Sequence, residues 1–468
     1  APLAHGAATK LTVRSSGAAM LRPDDADAER YGRWGQNRPE DAYYPRPTVS
    51  WYPAHGYLQR STFDVLFLHR KDHLAISTGV SSEEQGEAAK GERATRWKMD
   101  KPVAFTTFVV GDFGRYSRPA DAKTPPVNYY YMAGRFLVKE SENEMLTELS
   151  NAVRFYSELF GPYPFEQASA VLHPRQFGQG VPSLLLLTPT LRHTSKRGLS
   201  FMAHEMAHQW WGHVVSWKTY RDQWLSEGFA EYSAALYVRA RMDRDAEAEL
   251  IREKRRALIT PPMTETGILT GKVAELGPLI LGLRAAPPRT LNAYYALTYF
   301  KGALVLRMLH FLFTNPGTGD DSAFYAMMKD FTSRYAGRAA TTEDFFAVAS
   351  EHFRRAPLGI KYHMQNLDWF YNQWVLQAVL PSYRLEYSIQ PQPNGVLLNG
   401  VLKQIGAPDD WFMPLPLVIR LNKTQEVRGS VQVKGAQSTF SIPLPSAPLS
   451  VTLDPDLYVL SEKTETSR

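Results

Sequence analysis

The stretch His204-Glu205-Met206-Ala207-His208, inside the run 201–232, decides how this chain is read. Two histidines four apart on a helix lie on the same face, one above the other. Their imidazoles can converge on a single ion. Glu205 points about 100° round the helix from His204, toward the open side of such an ion rather than into its ligand set. H-E-x-x-H is therefore a zinc-hydrolase pattern with a physical content: two ligands, and a base for the water.

Zinc needs a third protein ligand. Eighteen residues separate His208 from Glu227, which lies in WLSEGFAEY, residues 224–232. That stretch also reads as helical, so a carboxylate can return across the metal from a neighbouring helix. Two histidines and a glutamate leave the fourth position to water, which is the arrangement of a catalytic site. The plainer alternative is a pair of surface histidines and a solvated glutamate. The joint occurrence of H-E-x-x-H and an acid at this offset outweighs it.

HEMAHQWWGH (204–213) followed by WLSEGFAEY resembles the aminopeptidase N family of zinc peptidases, the gluzincin group that also contains the leukotriene hydrolases. The resemblance implies one Zn2+ per chain held by His204, His208 and Glu227, with Glu205 as general base. In this family a tyrosine of Y-x-K-G donates a hydrogen bond to the tetrahedral oxyanion, and Tyr299 of Tyr299-Phe300-Lys301-Gly302 matches it. A phenol is neutral at pH 7 and a good donor, which suits that role. Tyr294 matches an active-site tyrosine of some members and is expected among the substrate contacts.

The family also carries G-x-M-E-N on an edge strand, whose glutamate binds the substrate's free α-amine. Without gaps, Gly180-Val181-Pro182-Ser183-Leu184 falls on that motif, with Ser183 in place of the glutamate. A hydroxyl does not neutralise an ammonium group, so a preference for the amino end is expected to be weakened. The strand itself is expected to pair with an extended peptide through Gly178, Gly180, Val181 and Ser183, the glycines allowing close backbone approach.

Composition bounds the rest. The chain has 468 residues, 53 basic and 47 acidic, and a net charge of +6 spread along its length. There is no basic stripe or reading motif, so a nucleic-acid partner is not expected. Cysteine is absent, so neither disulfides nor thiolate ligands are available. No apolar run is read as a membrane span and no signal peptide is seen. The expected partner is a peptide or unfolded polypeptide, and the expected setting leans to extracytoplasmic or membrane-associated, with a tether upstream.

The fold expected is multidomain α+β. A thermolysin-like, mainly helical catalytic domain (132–380) is flanked by an N-terminal β-domain (1–131) and a small C-terminal β-sandwich (381–468). Residues 10–14 read as a short strand, 24–40 as loop, 61–68 and 103–113 as strands. These pieces resemble the later half of the family's N-terminal β-domain, so that domain reads as incomplete, an upstream segment having been removed. The C-terminal helical domain of many relatives is missing too, which predicts an open cleft. Apolar spacing marks helices over 142–160, 302–313 and 342–353, the last with Thr341 as N-cap. Residues 238–258 read as a charged helix with a solvated face. Trp210 and Trp211 read as core, His213 as a packing or hydrogen-bonding residue, and Glu231 as an acid orienting a ligand histidine.

Three functions compete. The first is a zinc peptidase with weak amino-end preference. The second is an ordinary aminopeptidase in which another acid anchors the amine. The third is a zinc-containing, non-catalytic binding domain, against which the presence of Glu205 and Tyr299 argues.

Overall fold

The alternating aromatic and β-branched runs after residue 60 form strands, as their pattern predicts. The computed structural model describes residues 9–14, 16, 42–43, 45, 51–53, 56, 58–84, 88–132, 142–173, 177–188, 192, 195–264, 267–268, 270–285 and 293–468. Its first strands are β1 (Ala42–Tyr43), β2 (Ser61–Arg70), β3 (Leu74–Ser77), β4 (Val80–Glu84), β5 (Glu92–Val103) and β6 (Phe108–Gly111). They make two three-stranded sheets, ordered β1-β6-β3 and β2-β5-β4. The run 103–113 is two strands rather than one. The chain between β5 and β6 is tied down by side chains instead, Ser77 Oγ donating to the Thr107 carbonyl and Thr78 Oγ1 bonding Thr106 Oγ1, each at 2.6 Å. Residues 10–14 form no strand, and 24–40 lie outside the described residues.

β7 (Gly114–Arg118) and β8 (Val127–Tyr131) do not belong with these sheets. They join β9 (Ala168–Leu172), β10 (Gln179–Val181) and β11 (Leu184–Leu187) in a five-stranded sheet ordered β10-β11-β9-β8-β7. A boundary at residue 132 would thus cut this sheet from its own strands. β8 and β9 are parallel and are joined through helix α1 (Glu142–Phe160). Parallel neighbours need such a crossover, so β8 and α1 form one unit. α1 buries Met145, Leu149, Val153, Tyr156 and Phe160 and stops at Gly161, whose φ of +105° glycine accepts readily.

Two helices carry the sequence motifs. α2 (Lys196–Ala207) starts at Ser195, whose hydroxyl accepts the Gly198 N–H at 3.2 Å. α3 (Trp224–Arg241) lies against it. The charged stretch after it is not one helix. The chain breaks at Met242, and Asp243 caps α4 (Arg244–Ile259) by accepting the Ala246 N–H at 2.8 Å. Short pairs join the helices, β12 (Val215–Trp217) with β15 (Arg338–Ala340) and β13 (Met263–Thr264) with β14 (Gly267–Ile268).

A π-helical segment, Tyr295–Lys301, runs into α5 (Gly302–Phe313). The continuous helix Tyr295–Phe313 is long and apolar enough to cross a membrane by length and composition alone, but it is 89% buried inside the fold and serves as a core helix. α5 crosses α3 closely: a Cβ on Gly228 would lie 2.8 Å from the Gly302 Cα. That approach brings Tyr299 to Glu227. α6 (Ser322–Arg334) and α7 (Thr342–Phe353) complete the helical body, Thr341 capping α7 in a reciprocal pair with Asp344.

From Ser382 the chain is strands: β16 (Ser382–Gln392), β17 (Gly395–Ile405), β18 (Phe412–Arg420), β19 (Glu426–Lys434), β20 (Gln437–Leu444), β21 (Ser450–Leu453) and β22 (Thr464–Ser467). They form sheets ordered β20-β17-β16-β22 and β19-β18-β21. Trp374 meets Trp411 edge-on at 5.2 Å, joining the helical body to these strands.

Candidate metal and active site

α2 presents His204 and His208 one turn apart, and the first turn of α3 presents Glu227 opposite them. The three ligand atoms form a nearly regular triangle: 3.2 Å between the two Nε2 atoms, and 3.5 and 3.4 Å from these to Glu227 Oε2. A tetrahedral ion with bonds of ~2.0–2.1 Å has ligand–ligand edges of about 3.3–3.4 Å. The triangle therefore fits zinc without rearrangement, and its donor set of two imidazoles and one carboxylate suits that ion.

The far nitrogens are committed elsewhere, which sets the tautomers. His204 Nδ1 donates to Glu231 Oε2 at 2.8 Å, and His208 Nδ1 donates to the Trp211 carbonyl at 2.9 Å. Each ring thus keeps Nε2 for the ion. Glu205 is nearly buried. Burial raises its pKa, the neighbouring imidazoles oppose the rise, and the Gly180 N–H donates to its carboxylate. Burial lowers the basicity of His204, but the carboxylates of Glu227 and Glu231 outweigh it and hold the ring well above its ordinary value. Glu227, buried beside the two imidazoles, is correspondingly held low.

Tyr299 lies with its ring nearly parallel to His204, centroids 6.0 Å apart. Its hydroxyl hydrogen-bonds Glu227, and burial pushes its pKa far up, so it remains a neutral donor. Tyr294 stands behind it, at 5.7 Å ring to ring, and does not line the cleft. The π-helical winding puts Tyr295 at the mouth instead, 57% exposed. A regular α-helix would phase these tyrosines differently.

The cleft of about 790 Å³ above the triad is bounded on one side by Gly178 and by Gln179 and Gly180 of the β10 edge. That strand sits directly on α2. A Cβ on Gly180 would lie 2.3 Å from the Glu205 carbonyl oxygen, and one on Gly178 would lie 2.1 Å from the Phe201 ring. His213, which also lines the cleft, holds the strand: burial depresses its pKa to about 3, so it is neutral and its Nε2–H donates to the Gly180 carbonyl at 2.8 Å. Trp210 and Trp211 are fully buried, as expected.

Val181 and Ser183 are not in the cleft. β10 and β11 are joined by a two-residue turn, Val181 pairing with Leu184. Ser183 takes the turn position that needs positive φ, at +62°. Its hydroxyl accepts the Gly79 N–H and its own N–H donates to Gln209 Oε1, each at 2.8 Å. Gln209 Nε2 also donates to the Val181 carbonyl at 3.0 Å. The turn thus consumes both residues expected to touch substrate.

Among the polar cleft residues that sequence reasoning did not single out are Gln179, Arg197, Glu253 and Lys254. Arg197 precedes Phe201 and His204 at helical spacing and was findable. Lys254 sat inside what reads as a solvated charged face, yet it is 4% exposed. The signal was its place between Leu250 and Leu258, at steps of four.

Comparison with known proteins finds a family for the part of the chain that holds the site. The model of the peptidase family M1 domain matches residues 180–374. Those residues are a peptidase family M1 domain. The chain is 23% identical over 311 residues to glutamyl aminopeptidase of Bos taurus, a match covering 63% of the chain but 30% of that protein. Its fold is similar to aminopeptidase A of Legionella pneumophila, solved with aspartic acid: TM-score 0.63, 16% identity, 86% of this chain and 45% of that one. It is also similar to an M1 zinc metallopeptidase from Deinococcus radiodurans: TM-score 0.55, 21% identity, 73% and 70% covered. The chain thus spans less than half the length of the bovine relative and of the Legionella chain. Zinc is the cofactor that an M1 domain implies.

Proposed function

We propose that this chain is a zinc peptidase in which Glu205 is the general base and Tyr299 the oxyanion donor. The observation that carries this reading is the His204–His208–Glu227 triangle, whose edges of 3.2–3.5 Å match one tetrahedral ion. Zinc, when bound, acidifies water toward neutrality and polarises a carbonyl. Glu205 takes the water proton and hands it to the leaving nitrogen, so that peptide and water become a carboxylic acid and an amine. Its burial suits a base working near pH 7. Tyr299 donates its O–H to the oxygen that gains charge as the carbonyl becomes tetrahedral.

The substrate is an extended peptide lying along β10, whose backbone it joins as an added strand. Amino-end preference is weak. The support for this is not Ser183, which is buried in the turn, but the cleft-facing run Gly178-Gln179-Gly180 at the start of β10, which carries no carboxylate. One observation favours the ordinary-aminopeptidase alternative. Glu253 also lines the cleft and, among the described residues, is held in no ion pair; it is the acid that would serve as amine anchor.

The test compares one peptide with a free and an acetylated amino end. Hydrolysis of both, abolished by a chelator and restored by zinc, supports the proposal. Strong rejection of the acetylated form, lost in Glu253→Gln, supports the alternative. No chelator-sensitive hydrolysis on either form contradicts both.

A further inference from the structure

Glu231 has two carboxylate oxygens, and the structure accounts for both. Oε2 accepts the Nδ1–H of His204 at 2.8 Å. Oε1 accepts from Lys254 Nζ at 2.5 Å. Lys254 comes from α4, while Glu231 is on α3 and His204 on α2, so one chain of hydrogen bonds ties three helices to one imidazole. The ammonium is buried beside the Phe300 ring, 5.5 Å from its centroid. A lysine is seldom buried this far without a partner that requires it.

We propose that Lys254 is a positioning residue for the metal centre. It pins Glu231, which in turn fixes the orientation and tautomer of His204. This rests on the zinc reading above. Without the lysine, a buried carboxylate would keep only one charge-assisted donor and would be free to change rotamer. His204 Nδ1 would then lose the fixed acceptor that leaves Nε2 facing the triad. The ammonium is buried between Glu231 and the Phe300 ring, so the effect is directional and not a general contribution to surface charge.

The experiment measures zinc dissociation constants by chelator competition for the wild type, Lys254→Met, Lys254→Arg, Glu231→Gln and the double variant Lys254→Met/Glu231→Gln. Loss of an outer partner of a zinc ligand weakens binding by roughly 10–100-fold. Lys254→Met is expected to fall in that range and Lys254→Arg to recover most of the loss. In the Glu231→Gln background, Lys254→Met should cost less than about twofold, because the path runs through Glu231. Lys254→Met within about twofold of wild type, or an equal loss in both backgrounds, overturns the proposal. Should Lys254→Met fail to fold, Lys254→Gln is measured against the same two outcomes. A wild-type chain that takes up no zinc overturns the peptidase reading itself, which separates the two failures.

Discussion

Gly180→Ala tests whether the β10 edge is set by its contact with α2. The added Cβ would sit 2.3 Å from the Glu205 carbonyl oxygen and 2.9 Å from the His208 Cβ. Both are helix positions that cannot rotate away, so the strand must retreat by about 1 Å to reach ordinary contact. Overpacking of this kind costs about 1–3 kcal/mol in stability. The Gly180 N–H that donates to Glu205, and the carbonyl that receives the His213 proton, move with it. A displacement of about 1 Å at a positioned group is worth on the order of 10²-fold in rate. The expected result in urea melts and peptide hydrolysis is a loss of about 1–3 kcal/mol and of ~10–100-fold in kcat/KM, with zinc content unchanged. Gly429→Ala is the control, since no atom lies within 4 Å of its added Cβ. A Gly180→Ala protein as stable and as active as Gly429→Ala would refute the packing argument.

Two further predictions follow from single groups. Tyr299→Phe should keep zinc and the fold but lose about 10²–10³ in kcat, since one oxyanion donor is removed; a change under threefold in steady-state assays speaks against the role. Asp454 is buried, and burial raises its carboxyl pKa from 3.8 to about 7 in spite of the Tyr458 and Val459 N–H groups that donate to it. The native state therefore binds this proton more tightly than the unfolded chain does, so its contribution is full at low pH and is lost as pH rises between about 4 and 7. The loss is at most about 4 kcal/mol. Melts across that range should show a falling slope that Asp454→Asn flattens, and an unchanged slope contradicts the assignment.

That His204 and His208 converge was legible because their geometry is local. Four residues between histidines is one helical turn, and no tertiary knowledge is needed to put both rings on one face. Glu227 was legible for the same reason, as an acid in the first turn of a helix at a motif offset. The structure departs from the sequence reading where packing or an irregular winding decides. Ser183 and Val181 were assigned to the cleft by ungapped matching, but a two-residue turn with positive φ claims that position, and Gln209 ties it down. Tyr294 was placed among the substrate contacts by matching to some family members, whereas π winding turns Tyr295 to the mouth. Lys254 looked solvated because its neighbours are charged; only the packing of α4 shows that it faces inward. The boundary at 132 ignored that a parallel strand needs its crossover partner, which draws β7 and β8 into the sheet beside the site.

The central claim is that a zinc ion and Glu205 share the work on one water. Zinc stoichiometry and turnover should be measured together on Glu205→Gln. The account predicts one zinc per chain retained and turnover lowered by about 10³-fold or more, because base and proton carrier are removed while the ligands stay. A variant that keeps its zinc and hydrolyses peptide at the wild-type rate would contradict it.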